Sequence, residues 1–325
     1  MQRDSDARER AFLLAHDTDP FNKWEAGRAL AKDVLIAMIH DGAEPDAGYL
    51  DALEPALRDD TLDPAFRAQV LRQPGQDDLT QTLFDAGITP DPIRIREGAE
   101  RLANATAARL RPLLERLYEE MRVPGPFRPD ASDAGRRALR LGALALLTRV
   151  DGGERARRQF AEADNMTEQL GALSALLAVG LGEEEAQAFY DRWHHDRLVL
   201  DKWFALRIGH AAPERAAPLA AELAEHPDFT IRNPNRFRAV FGALAGNPAG
   251  FHAPGGAGYA LMADWLIRLD ALNPQTAARM CAAFETWPRY DRDRQELMQA
   301  ALERIRATPG LSRDSAEMVG RILGT

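Results

Sequence analysis

Strand-forming patterns are almost absent from this sequence, and their absence restricts the chain to a helical fold. Runs in which β-branched and polar residues alternate, as half-buried strands require, do not occur, and Ala, Leu, Glu and Arg dominate. Apolar residues recur instead at the spacing of an amphipathic helix, as in Leu110, Leu113, Leu114 and Leu117. The pattern predicts an all-α protein.

Short turn signals separate the predicted helices, for example Asp41-Gly42 and Pro309-Gly310. Connections this short make consecutive helices pack antiparallel. Helix pairs repeated along the whole chain predict a curved α-solenoid of armadillo/HEAT-like pairs, with degenerate repeats because no fixed period is present. Residues 1–325 are expected to form a single domain, with a candidate sub-boundary at 123–130, where three prolines interrupt the helical pattern.

Helix starts are marked most clearly by Asn-Pro pairs. Asn is a strong N-cap, and Pro at the first helical position lacks an N–H that would be unpaired there. These pairs predict helices beginning at Asn233-Pro234, Asn247-Pro248 and Asn273-Pro274. A long helix is predicted from Asp91-Pro92 to about Met121, after an irregular segment at 72–92.

The charge balance argues against nucleic acid as a partner. The chain has 41 Lys and Arg against 50 Asp and Glu, a net charge of −9, whereas nucleic-acid binding needs a basic face. The single cysteine, Cys281, lies in an apolar helical pattern and is predicted to pack in the core. A charged N-terminal segment, short apolar runs and one cysteine favour a reducing cytoplasmic location without membrane contact.

No catalytic constellation stands out in the sequence. There is no P-loop and no G-x-S-x-G, and the glycine run at 255–258 does not follow a strand, so it is interpreted as a turn before a helix. His194 and His195 are adjacent and cannot face one metal from one side of a helix, which favours a solvated helix end. No metal site is predicted.

Several segments together resemble the C-terminal domain of bacterial aminopeptidase N, a zinc aminopeptidase of the gluzincin group. They occur in the order of the family and extend over nearly the whole chain. The segments include A-H-D-T-D-P-F-N-K-W-E-A-G at 15–27, A-D-N-M-T at 163–167, L-V-L-D-K-W-F at 198–204, residues 229–273 with the glycine turn at 255–259, and R-Y-D-x-x-R at 289–294.

The resemblance implies a superhelical bowl that walls the active-site chamber of the parent enzyme, controls substrate access and contacts the C-terminal side of the peptide. The zinc motif H-E-x-x-H and the amine-binding G-x-M-E-N of that family are missing from this sequence. The chain is therefore expected to hold no cofactor and to be inactive alone, with zinc in the catalytic portion of the parent. The expected partners are that catalytic portion and peptide substrates.

Three polar residues are the candidate substrate contacts. Gln275 and Arg279 are four residues apart, which places them on one helix face, and Arg238 lies one turn into the helix that begins at Asn233-Pro234. Guanidinium groups suit a carboxylate. The resemblance implies that Gln275, Arg279 and Arg238 approach the C-terminal side of bound peptides. The alternative for each arginine, and the interpretation adopted for Arg232 and Arg236, is a surface ion pair.

A function from another class remains open. A stand-alone α-solenoid that binds partner proteins on its concave face would show the same helical pattern without any catalytic role. An independent enzyme that uses carboxylates alone has no supporting constellation in the sequence.

Overall fold

The computed structural model describes residues 6–324, and within that range the chain forms helices and turns without a strand, which confirms the all-α prediction. Besides α-helices, this range has two short 3₁₀ helices, at Cys281–Phe284 and Trp287–Arg289. A π-helical turn covers Arg238–Gly242. The α-helices in chain order are α1 (Ala7–His16), α2 (Pro20–His40), α3 (Ala47–Arg58), α4 (Pro64–Val70), α5 (Gln76–Asp85), α6 (Pro92–Arg109), α7 (Arg111–Glu120), α8 (Ala131–Leu147), α9 (Glu154–Glu162), α10 (Met166–Leu177), α11 (Glu183–Trp193), α12 (Arg197–Gly209), α13 (Pro213–Ala224), α14 (Pro234–Phe237), α15 (Ala243–Ala245), α16 (Pro248–Phe251), α17 (Ala257–Asp270), α18 (Pro274–Met280), α19 (Arg292–Arg306) and α20 (Arg313–Leu323).

The described residues group into two compact units. One contains residues 6–79 and 94–185, and the other contains residues 80–93 and 186–324. Segment 123–130 is non-helical, as its prolines predict, and lies inside the first unit. The single-domain organisation stays a prediction.

The Asn-Pro helix starts are confirmed. The side chain of Asn233 accepts hydrogen bonds from the backbone N–H groups of residues 235 and 236, that of Asn247 from residue 250, and that of Asn273 from residue 276. In each case Pro occupies the first helical position, where its missing N–H leaves nothing unpaired. The local sequence therefore sets where these helices begin.

The predicted long helix at 91–121 is interrupted once. It divides at Leu110 into α6 and α7, with Leu110 at φ −100° and ψ 9°. Pro112 supplies the reason, because a proline in a helix interior cannot donate the i to i−4 hydrogen bond and collides with the preceding turn. A new helix starting at Arg111 places Pro112 in a first turn, where it is tolerated.

Basic side chains on one helix donate hydrogen bonds to carbonyl groups where another helix ends. Lys23 of α2 donates from Nζ to the Ala15 carbonyl at 2.9 Å, at the end of α1. Arg67 of α4 donates from Nε to the Leu57 carbonyl at 3.0 Å, at the end of α3, and both cations are 4% exposed. The last carbonyls of a helix have no intrahelical donor and carry partial negative charge, so cations stabilise them.

Cores in both units consist of the predicted apolar faces. Leu113, Leu114 and Leu117 of α7 are at most 3% exposed in the first unit. In the second unit Trp203 and Phe204 are buried, and the Trp203 indole N–H donates to the Ala186 carbonyl at 2.8 Å. Both aromatic side chains therefore belong to the core of this unit.

A buried carboxylate ties α17 to the start of α20. Asp270, the last residue of α17, is 5% exposed and accepts hydrogen bonds from the Ser312 backbone N–H at 2.8 Å, the Ser312 hydroxyl at 2.5 Å and the Ser315 hydroxyl at 2.6 Å. Ser312 is the N-cap of α20, so the carboxylate also lies at the positive end of that helix.

A second polar cluster surrounds His252 at the end of α16. Its Nδ1 lies 2.7 Å from the Tyr259 hydroxyl, its ring centroid lies 4.2 Å from that of Tyr290, and its backbone carbonyl accepts from Arg294 Nε at 2.8 Å. Arg294 also pairs with Asp291. Burial, reinforced by the Arg294 charge, lowers the pKa of His252 to about 3, so the imidazole is neutral at physiological pH.

We expect Asp270→Ala to lower the free energy of unfolding by about 2–4 kcal/mol, because it leaves buried donors at the α20 N-terminus without their acceptor. Asp264→Ala on the same helix is the matched control, since Asp264 makes only an exposed ion pair with Arg304, worth about 0–1 kcal/mol. Urea unfolding followed by circular dichroism measures both variants. Equal losses in the two variants would contradict the assignment.

Acidification should destabilise the protein through His252. The pKa of His252 is 6.5 in the unfolded chain and about 3 in the folded chain. Between these two pH values the unfolded chain binds a proton on His252 and the folded chain does not, so the free energy of unfolding rises with pH across that window. The slope from this group is at most about 1.4 kcal/mol per pH unit.

His252→Asn should therefore show a shallower loss of stability between pH 7 and 4.5, measured by urea unfolding at each pH. His195→Asn is the control, because His195 is solvent-exposed. A His252→Asn variant with the wild-type slope would show that this histidine is not the group responsible.

Candidate functional site

Gln275 and Arg279 both lie on the solvent-exposed face of α18. The intervening residues Thr276, Ala277 and Ala278 are buried, which turns the two polar side chains outward together. Among the described residues Arg279 makes no ion pair, so the surface salt bridge considered as its alternative role is not observed. The face thus presents a guanidinium and a carboxamide that remain available to a ligand.

Arg238 begins the π-helical turn that follows α14. Its side chain is exposed and donates from Nη1 to the Asn235 side-chain oxygen at 3.2 Å, while Ala239, Val240 and Phe241 behind it are buried. Single π turns within helices are rare and occur often at functional sites. The π turn thus places the exposed Arg238 next to three buried residues.

The three arginines around Asn233 have different environments. Arg236 is 4% exposed, pairs with Asp201 at 2.5 Å, donates to the Asp228 carbonyl and lies over the Phe204 ring. The predicted ion pair of Arg236 is present but is buried, so the expectation of a surface pair was wrong in its location. The reason is that α12 supplies both the carboxylate and the ring. Arg232 and Arg238 point to solvent.

Packing connects the two candidate segments through intervening helices. The π turn that starts at Arg238 packs against α12 and α13, α13 packs against α17, and α17 packs against α18. All these elements belong to the second unit. Within residues 6–324 no hydrogen bond joins Arg238 to Gln275 or Arg279. The three side chains therefore belong to one body of packed helices, and the segment of Arg238 is not hydrogen-bonded to that of Gln275 and Arg279 within the described residues.

Groups suited to catalysis are not assembled in the described part of the chain. No cluster of three or more His, Cys, Asp or Glu side chains that could hold a metal occurs there. His194 and His195 are exposed, as predicted for a solvated helix end. Cys281 is fully buried, and burial together with the nearby Asp270 charge raises its pKa to about 12, as expected for a core thiol.

Three of the segments that carry the family resemblance contribute a helix cap, a buried ion pair and a hydrogen bond to a helix end. In A-D-N-M-T, Asn165 caps α10 and its Nδ2 donates to Glu168 at 3.1 Å, which forms a reciprocal capping pair. In L-V-L-D-K-W-F, Asp201 holds Arg236, and in R-Y-D-x-x-R, Arg294 holds the end of α16. In this structure, their contacts fix two helix ends and one buried arginine.

Sequence reasoning missed two features, the His252 cluster and a polar cavity bordered by Arg137 and Arg140. Nothing in the local sequence separates these residues from ordinary surface histidines and arginines. The three-residue spacing of Arg137 and Arg140 on α8, among apolar residues, indicates that they share the buried helix face. It does not indicate that this face borders a cavity.

Within residues 6–324, no helix combines the length and the apolar character that a bilayer crossing requires.

Comparison with known proteins identifies the family. A family profile described as "Domain of unknown function (DUF3458_C) ARM repeats" matches residues 7–324. The chain is 41% identical to aminopeptidase N of Caulobacter vibrioides over 98% of its own length and 38% of that protein. It is 35% identical to aminopeptidase N of Escherichia coli, over 96% of this chain and 36% of that protein.

A solved structure agrees with these relatives. The match to the crystal structure of Legionella pneumophila aminopeptidase A in complex with aspartic acid covers 100% of this chain and 39% of the Legionella chain. The TM-score is 0.88 and the sequence identity is 28%. The chain thus spans less than two fifths of the length of the relatives it matches, in their C-terminal part. It belongs to the DUF3458_C family of ARM-repeat domains and is homologous to the C-terminal part of bacterial aminopeptidase N.

Proposed function

We propose that this chain serves as the C-terminal domain of a zinc aminopeptidase that removes N-terminal residues from peptides. In this proposal the helical domain walls the active-site chamber, limits access to peptides that can enter it, and works with a catalytic portion that supplies the zinc and the water-activating groups. The observation that carries the proposal is the match to aminopeptidase N along 98% of this chain and only 38% of that relative.

The proposed substrate contact uses Arg279, Gln275 and Arg238. All three are solvent-exposed in the second unit, and the two arginines are not consumed by ion pairs within the described residues. A guanidinium beside a carboxamide offers several N–H donors in a fixed arrangement, which suits the terminal carboxylate of a peptide. The buried Arg236–Asp201 ion pair joins α14, which directly precedes Arg238, to α12.

Zinc belongs, in this proposal, to the catalytic portion, and the cellular location is the cytoplasm. A chain of 325 residues with one buried cysteine has no internal disulfide, and such sparse use of cysteine is typical of proteins in a reducing compartment.

A chimaera tests the chamber role. When this chain replaces the corresponding region of Caulobacter vibrioides aminopeptidase N, we expect peptidase activity with a preference for short peptides over long ones. The same enzyme truncated before that region should lose activity or the length preference, because the chamber wall is missing. kcat/KM for a dipeptide and for a peptide of about ten residues measures both properties.

Identical activity and length preference in the truncated enzyme and the chimaera would contradict the chamber role. Such a result would favour the alternative of a protein-interaction scaffold. A chimaera that is folded by circular dichroism but inactive would contradict the assignment to this enzyme family's chamber.

Arg279→Ala in the chimaera should raise KM about tenfold for peptides with a free C-terminal carboxylate, which corresponds to roughly 1.4 kcal/mol, with kcat nearly unchanged. Peptides with an amidated C-terminus should respond little, because the lost contact is to the carboxylate. Arg232→Ala is the matched control, as an exposed arginine in the same unit without a proposed contact. Equal KM values for Arg279→Ala and wild type would exclude the substrate contact.

A further inference from the structure

A polar cavity of about 430 Å³ lies in the first unit, whereas Arg238, Gln275 and Arg279 belong to the second. Its walls are the loop at 122–127, one face of α8, the end of α9 and the residues that cap α10. The volume is within the range of small-molecule sites in proteins. Its charged lining consists of Arg122, Arg137, Arg140, Glu162, Asp164 and Glu168.

Arg137 is the most informative residue of this cavity. It is 5% exposed, its guanidinium lies 4.5 Å from the Phe127 ring centroid, and its Nη2 donates to the Arg128 carbonyl at 2.6 Å. Within residues 6–324, no carboxylate lies within ion-pair distance of it. A charge this deeply buried normally has a counter-charge, because removing it from water is costly. The cavity beside Arg137 is where an anionic group could provide one.

Arg140 forms a second fixed guanidinium on the same wall. It lies 4.4 Å from the Tyr118 ring centroid, donates from Nε to the Tyr118 carbonyl at 3.2 Å and pairs with Glu168 at 2.6 Å. The positions of both arginines are therefore set before any ligand arrives, which lowers the entropic cost of binding.

Acidic groups form the opposite part of the lining. Glu162 and Asp164 are exposed at the rim, and Glu162 makes no side-chain hydrogen bond or ion pair within the described residues. Three cationic and three anionic side chains border the cavity, so its formal charge is zero. A phosphate or another multivalent anion would meet repulsion from the three carboxylates, whereas a ligand with one charge of each sign would not.

A further unsatisfied group lies in the same wall. Gln159, 4% exposed, donates from Nε2 to the Glu168 carbonyl at 3.1 Å, while its Oε1 is buried and accepts no hydrogen bond from residues 6–324. Buried polar atoms without partners are uncommon in folded proteins. The cavity wall thus contains two buried polar groups with incomplete partners among the described residues, the Gln159 amide oxygen and the Arg137 guanidinium.

We propose that this cavity binds a free α-amino acid as its zwitterion. The carboxylate lies against the Arg137 guanidinium, and the ammonium faces Glu162 and the neighbouring acidic rim. The proposal concerns binding only and stands whether or not the chain serves an aminopeptidase.

Isothermal titration calorimetry of the full chain at low salt tests the proposal, with L-alanine, L-glutamine and L-methionine as probes. We expect saturable binding of at least one of them. The corresponding N-acetyl amino acid, which lacks the ammonium, and the amino-acid amide, which lacks the carboxylate, should each bind at least tenfold more weakly. Inorganic phosphate should not compete.

Arg137→Gln should weaken binding tenfold or more, and Glu162→Gln should weaken it several-fold. Glu162 is exposed and makes no ion pair within the described residues, so its variant is expected to fold and still tests the proposal if Arg137→Gln unfolds. Arg158→Ala is the matched control, because Arg158 is an exposed arginine of α9 outside the cavity lining. Circular dichroism checks the fold of each variant.

Several results would overturn the proposal. These are the absence of binding by all three amino acids, equal binding of the N-acetyl derivative or of phosphate, and wild-type affinity in Glu162→Gln. An Arg158→Ala variant that loses as much affinity as Glu162→Gln would also overturn it, since the effect would then be one of general charge.

Discussion

Every helix end leaves backbone groups without intrahelical partners, and satisfying them is the constraint on which this fold depends most. The chain contains many helices joined by short connections, so these ends lie close to neighbouring helices rather than in open solvent. The buried cations Lys23 and Arg67 and the half-buried Arg294 donate to C-terminal carbonyls, and a buried carboxylate, Asp270, accepts hydrogen bonds at an N-terminus. These polar contacts join α1 to α2, α3 to α4, α16 to α19 and α17 to α20.

The need for partners at helix ends also accounts for contacts made by the segments that carry the family resemblance. Asn165, Asp201 and Arg294 each end up in a capping pair, a buried ion pair or a carbonyl contact. Helices joined through such contacts fit the membership of this chain in a family of ARM-repeat domains.

In such a domain, the side chains available to a ligand are those left over after the helix ends are satisfied. Around Asn233 the division is clear, because Arg236 is used by the fold while Arg238, two residues later, is left to solvent. Arg279 and Gln275 are likewise outside the packing of α18. In the first unit, Arg137 is buried and held by a carbonyl and a ring, yet has no counter-charge in the described structure. Both proposals therefore rest on polar groups that the fold positions but does not neutralise.

The sequence by itself determined the helical class, the starts at Asn233, Asn247 and Asn273, and the burial of Cys281, because helix period and N-caps depend on residues within one or two turns. It did not reveal the break at Leu110 in a predicted continuous helix, although Pro112 was a visible local cause. Only the tertiary structure decided that Arg236 is buried and Arg238 exposed, and that Arg137 borders a cavity. The partners of a long side chain come from other helices, such as Asp201, 35 positions before Arg236, and no local pattern encodes that approach.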